Sequence, residues 1–231
     1  SKKNMVYLCM EALMGKNENF ILINAVIFSA AFGFLEAAVV VYLRELWYPQ
    51  GFAFPIKIIS GGIITAEYLR EAATLIMIFS AACIAGKTKL QRFAYFMLIF
   101  GVWDIVFYLA LKIMLGWPAS IMEYDLLFLL PAPWTGPVLA PVIISASMIT
   151  AGIIIIKFIN SGITFYQTKI IWLLEITGGT IVFLSFTASA GDITKGVYPS
   201  HFSWIVFSAG WLLSLMTFIY SFYRTIASEI K

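Results

Sequence analysis

Residues 20–43 read FILINAVIFSAAFGFLEAAVVVYL, an apolar run interrupted by one carboxylate, Glu36. At about 1.5 Å of helical rise per residue, a run of this length crosses a hydrocarbon core of about 30 Å. Comparable runs occur at 60–86, 90–115, 136–158, 168–190 and 202–223, which predicts six transmembrane helices. The start of the second span is ambiguous between Ile56 and Thr65, because Gly61-Gly62 serves equally as a break or as a beginning. The expected fold is an all-α polytopic membrane bundle forming a single domain over residues 1–231.

Composition agrees. The chain is 61% hydrophobic and 12% charged, with a mean hydropathy of +0.93. The spans consume nearly the whole length, so no soluble catalytic domain fits between them. A formal charge of +3 is too small to point to nucleic acid, and the expected surroundings are lipid, with membrane-protein partners or further copies of the chain.

Lys and Arg in the short connections set the orientation. With the N-terminus inside, one side holds Lys2, Lys3, Lys16, Lys87, Lys89, Arg92, Lys157, Lys169, Arg224 and Lys231, while the other holds Arg44, Lys57, Lys112 and Lys195. This bias places both termini on the cytoplasmic side of a prokaryotic-type cytoplasmic membrane. Trp47, Tyr48, Trp117, Trp134, Tyr198 and Trp204 then fall at the outer boundary, where amphipathic rings prefer to lie. Residues 5–15 suit a short helix lying in the inner interface. Residues 116–135, GWPASIMEYDLLFLLPAPWT, are too short and too rich in proline to span, and suit an outer re-entrant or interfacial hairpin.

The functional signal lies in charges inside the apolar runs. Each costs roughly 2.5–3.5 kcal/mol to insert and normally faces protein or a water-filled cavity. Glu67, Arg70 and Glu71 have i,i+3 and i,i+4 spacing and share one helix face. Asp104, Tyr108 and Lys112 form a stripe on the third span, and Glu36 and Arg44 form one on the first. Arg44 and Lys112 are near enough to span ends to be interfacial. If the three seams converge, Glu36, Glu67, Arg70, Glu71, Asp104 and Tyr108 enclose an outward-facing pocket with more carboxylates than bases. Unbalanced carboxylates must be protonated, hydrated or bound to a cation. Glu175 stands apart on the fifth span, either hydrogen-bonded locally or lining an inner exit. Glu123 and Asp125 read first as a solvated loop, with an upward extension of the acidic pocket as the alternative, and the lone His201 as a capping residue.

Absent motifs narrow the chemistry. One histidine and two separated cysteines exclude a haem with two histidine ligands or an iron–sulfur cluster held by this chain alone. No Walker A, GxGxxG, HExxH or GxSxG pattern occurs. No cofactor is expected, although an all-oxygen site would accept a hard cation. The leading expectation is a pocket that binds or conducts a cation or proton. The alternatives are a non-catalytic subunit of a larger, energy-converting membrane complex and, last, an enzyme using carboxylate acid–base chemistry on a lipid-soluble substrate.

Overall fold

The computed structural model describes residues 2–48, 50, 62–197 and 202–229. In chain order the elements are α1 (Lys2–Trp47), α2 (Gly62–Ala85), α3 (Lys89–Leu115), β1 (Tyr124–Phe128), β2 (Trp134–Pro137), α4 (Leu139–Asn160), α5 (Lys169–Thr187), α6 (Ala190–Thr194) and α7 (Trp204–Glu229). Six stretches among them are long and apolar enough to cross a membrane: Asn17–Trp47, Gly62–Ala85, Lys89–Leu115, Leu139–Asn160, Lys169–Thr194 and Trp204–Ser228. The chain is thus mostly helical, with the sequence features of an integral membrane protein. Residues 5–15, expected as a separate helix, are continuous with α1. Lys57, Tyr198, His201 and Lys231 lie outside the described residues.

Span ends follow local chemistry. The Thr88 side chain accepts the Gln91 N–H at 3.1 Å and opens α3, and Thr168 does the same for Ile171 at 3.3 Å in α5. Gly116, at φ 68°, closes α3 in the left-handed conformation that glycine adopts without penalty. The described part of α2 begins at Gly62, which places Glu67, Arg70 and Glu71 in its first turns.

α3 is the centre of the bundle, with α1, α2 and α4 packed on it. Its Ala94, Tyr95, Leu98 and Ile99 are fully buried. Small residues set the close approaches. A Cβ at Gly33 of α1 would collide with the Trp103 carbonyl, and one at Gly152 of α4 would stand 2.7 Å from the Ala94 carbonyl. α5 and α7 form a second close pair, crossing where Gly178 and Gly210 meet. In lipid the hydrophobic effect does not drive helix association, so backbone approach at small residues is a principal source of contact.

The connection between α3 and α4, 116–138, contains the only strands among the described residues. β1 and β2 pair antiparallel, Asp125 opposite Gly136 and Leu126 opposite Thr135, with an irregularity between Leu126 and Phe128. Span 4 accordingly begins at Leu139, not at the expected 136, because 134–137 belong to β2. Phe128 stacks on Phe100 at 6.4 Å and Trp134 packs edge-on against Phe183 at 4.9 Å. The hairpin therefore bridges α3 and α5. It occupies the bundle end formed by the C-terminal halves of α1 and α3 and the start of α2, opposite Lys87, Lys89 and Lys157.

Candidate functional site

At the hairpin end of the bundle lies a cavity of about 430 Å³. Its walls include all six residues that the sequence seams nominate, Glu36, Glu67, Arg70, Glu71, Asp104 and Tyr108. Glu175 does not line it. That carboxylate accepts a hydrogen bond from the Ser214 hydroxyl, a contact between α5 and α7.

Most of the charges already have partners. Arg70 pairs with Glu36 across the α1–α2 boundary and with Glu67 on its own helix, its Nη2 2.8 Å from Glu67 Oε2. Thr74 donates to the second oxygen of Glu36 at 3.2 Å. The Glu71 carboxylate accepts the backbone N–H of Leu129 at 2.9 Å and of Leu130 at 3.1 Å. It thereby satisfies the strand end at the hairpin turn, where the ladder has run out of acceptors.

Two residues that the sequence reading placed elsewhere complete the site. Arg44, expected at the interface, is 8% exposed, and its Nη2 lies 3.2 Å from Asp125 Oδ1. Asp125, read as part of a solvated loop, is 2% exposed. Tyr108 donates to its other oxygen at 3.2 Å. The reason is strand geometry: alternate residues of β1 face opposite sides, and Asp125 falls on the side turned toward α1 and α3. Burial raises its carboxyl from an ordinary 3.8 to about 6, against the opposing pull of Arg44 and the Tyr108 hydroxyl. The signals for this pairing were Asp125's position beside the apolar run LLFLL and the i,i+8 spacing of Arg44 from Glu36. Glu123 differs. It accepts the Trp117 indole N–H at 2.8 Å and the Ala119 N–H at 2.6 Å, organising the loop outside the cavity.

Asp104 is the exception among the carboxylates. It is 7% exposed, and its one hydrogen bond among the described residues comes from Ser145 of α4, at 2.7 Å. No basic side chain among the described residues pairs with it. Lys112, two turns further along α3, bends away to the Gly116 and Pro118 carbonyls at 3.0 and 2.7 Å.

The rest of the wall is largely apolar, aliphatic at Val40, Leu43, Ile64 and Ile144 and aromatic around α3 and the hairpin. Phe100, Trp103, Phe107 and Phe128 line the cavity together with Asp104 and form a connected set, with ring centroids 5.4 Å apart for Phe100–Trp103, 6.2 Å for Trp103–Phe107 and 6.1 Å for Trp103–Phe128. Trp134 extends it from Phe128 at 5.7 Å. Trp117 and Trp134, expected as boundary aromatics, are thus drawn into the protein: Arg44 lies 3.8 Å over the Trp117 ring, and Trp134 lines the cavity. Among the described residues, no group of three or more His, Cys, Asp or Glu stands close enough together to hold a metal ion. No protein-family model, curated protein or solved structure matches the chain.

Proposed function

We propose that this integral membrane protein binds or conducts a cation or proton through the cavity between α1, α2, α3 and the hairpin, with Asp104 as the acceptor. The carrying observation is the asymmetry among the carboxylates. Glu36, Glu67, Glu71 and Asp125 each have a guanidinium or backbone N–H groups directed at them, whereas Asp104 has a single hydroxyl. A buried carboxylate without a counter-charge takes up a proton or attracts a cation, since isolated ionisation in a low-dielectric site is expensive. Arg70 and Arg44 neutralise the surrounding acids and hold α1, α2 and the hairpin around the space. Tyr108 fixes Asp125, and Ser145 fixes the Asp104 carboxylate.

The excess of Lys and Arg at the opposite end of the helices supports an outward-facing cavity and cytoplasmic termini. Glu175 has no role in this reading.

Reconstitution into proteoliposomes tests it. Cation or proton flux, or ion-dependent thermal stabilisation in detergent, is expected for the wild-type protein and lost in Asp104→Asn, with Asp104→Glu retaining part of it. Equal flux and equal stabilisation in Asp104→Asn would overturn the proposal.

A further inference from the structure

The geometry points to a bulky amphipathic organic cation, a quaternary ammonium or phosphonium centre carried on an apolar body, as the ligand of this cavity. This inference rests on the reading that the cavity takes a cation, and it names the class.

Size argues first. A water molecule's share of liquid volume is about 30 Å³, and cavities of roughly 300–1,000 Å³ are typical of small-molecule sites. At about 430 Å³ this one is far larger than a bare ion needs. Donor geometry argues next. Four of the five carboxylates on its walls are turned to arginines or to backbone N–H groups, so among the described residues no group of three acids converges on one point. A small, strongly hydrated ion finds no converging set of carboxylates here to replace its water. A large ion with diffuse charge holds its water weakly and needs no such shell.

The wall chemistry completes the match. Asp104 follows Trp103 in sequence and lies one turn of α3 from Phe100, Phe107 and Tyr108, so the uncompensated carboxylate is set within aromatic surface. Ring faces attract cations through their quadrupole and accept apolar groups equally well. The protein makes the same kind of contact with its own residues, where Arg44 covers Trp117. Five carboxylates against two guanidiniums leave the walls acid-rich by up to three charges, which disfavours an anionic amphiphile.

Radiolabelled tetraphenylphosphonium, added to the full chain in nanodiscs with empty nanodiscs as the baseline, is the test. Saturable binding is expected, displaced by benzyltributylammonium but not by neutral triphenylphosphine oxide. Asp104→Asn should weaken it at least tenfold, and Phe107→Leu severalfold, each variant being checked for a monodisperse elution profile. Asp104→Glu should keep affinity within about threefold. Absence of saturable binding, or equal displacement by triphenylphosphine oxide, overturns the ligand class. Asp104-dependent proton flux in proteoliposomes persisting beside either result would leave the cavity's cation or proton reading intact. Loss of both signals would remove the two together.

Discussion

The α1–α2–α3 end of the bundle and the α5–α7 pair solve the same problem by opposite means. In α5 and α7 the backbones approach closely: a Cβ on Gly210 would stand 2.7 Å from the Gly178 carbonyl, and no space remains between the helices there. Glu175, the acid in the middle of α5, is met by the Ser214 hydroxyl of α7. In α1 and α2 the link is made by long charged side chains, Arg70 reaching to both Glu36 and Glu67. Helices joined through extended side chains stand apart, and the gap between them becomes a cavity. The difference teaches that expensive charges in this chain serve to hold helices at a distance, whereas glycines bring them together.

Four measurements would break or sharpen the contrast. The largest effect is expected from Arg70→Ala, which leaves Glu36 and Glu67 without their shared partner. Removing one member of a buried ion network costs about 3–5 kcal/mol, and the partial exposure of Arg70 argues for the lower end. Chemical denaturation in detergent micelles reads this directly, and a loss below about 1 kcal/mol would show that the pairs do not hold the helices.

Asp125 supplies a pH signature. Its folded pKa of about 6 exceeds the ordinary 3.8, so the native state binds the proton more tightly than the unfolded chain. The resulting stability is fully present below about pH 4 and is lost as pH rises through about 6. The shift of roughly two units corresponds to about 3 kcal/mol. Comparing wild type with Asp125→Asn between pH 4 and 7 isolates this dependence from the fixed cost of unpairing Arg44. A flat difference across that range would contradict the burial of the hairpin carboxylate.

The α5–α7 pair should respond to volume. Gly178→Ala forces a methyl against the Ser214 hydroxyl and the Gly210 carbonyl, at a cost of about 1–3 kcal/mol typical of overpacking. The same substitution at Gly179, whose Cβ would meet nothing within 4 Å, should be neutral or slightly stabilising, since alanine favours helix over glycine by up to about 1 kcal/mol. The smallest effect is expected from Glu175→Gln, which keeps an acceptor for Ser214. Stability should change by less than about 1 kcal/mol, and tetraphenylphosphonium affinity should not change. A large loss of affinity would tie Glu175 to the cavity, whose wall α5 reaches through Phe186.

Much of this arrangement was legible in the chain. Long apolar runs declare spans because the hydrocarbon core imposes one length on every crossing, and i,i+4 spacing declares a face because a helix has one geometry. That Glu36, Glu67 and Asp104 fall toward one end of the antiparallel helices was inferable; that the three seams converge was not, because spacing along a helix does not say which neighbour its polar face meets. What escaped was pairing across long separations. Arg44 and Asp125 are 81 positions apart, and no periodicity connects a helix end to a strand. Short-range polarity made Asp125 look like loop, whereas the pairing of β1 with β2 turned it inward. The charge balance of each acid was likewise invisible, because it depends on which neighbour arrives first: Glu71 found backbone, Glu36 found Arg70, and Asp104 found Ser145.

The Glu71 contact with the hairpin has a consequence for how this sequence can vary. Its carboxylate recognises main-chain N–H groups at 129 and 130, not the leucine side chains they belong to. This bond by itself therefore tolerates any residue with an amide hydrogen at either position, with proline forbidden, although the Leu129 side chain also lines the cavity. An acidic side chain at position 71 has no such freedom. Variation at the turn and invariance at the helix position facing it would be the evolutionary trace of a bond made to the backbone.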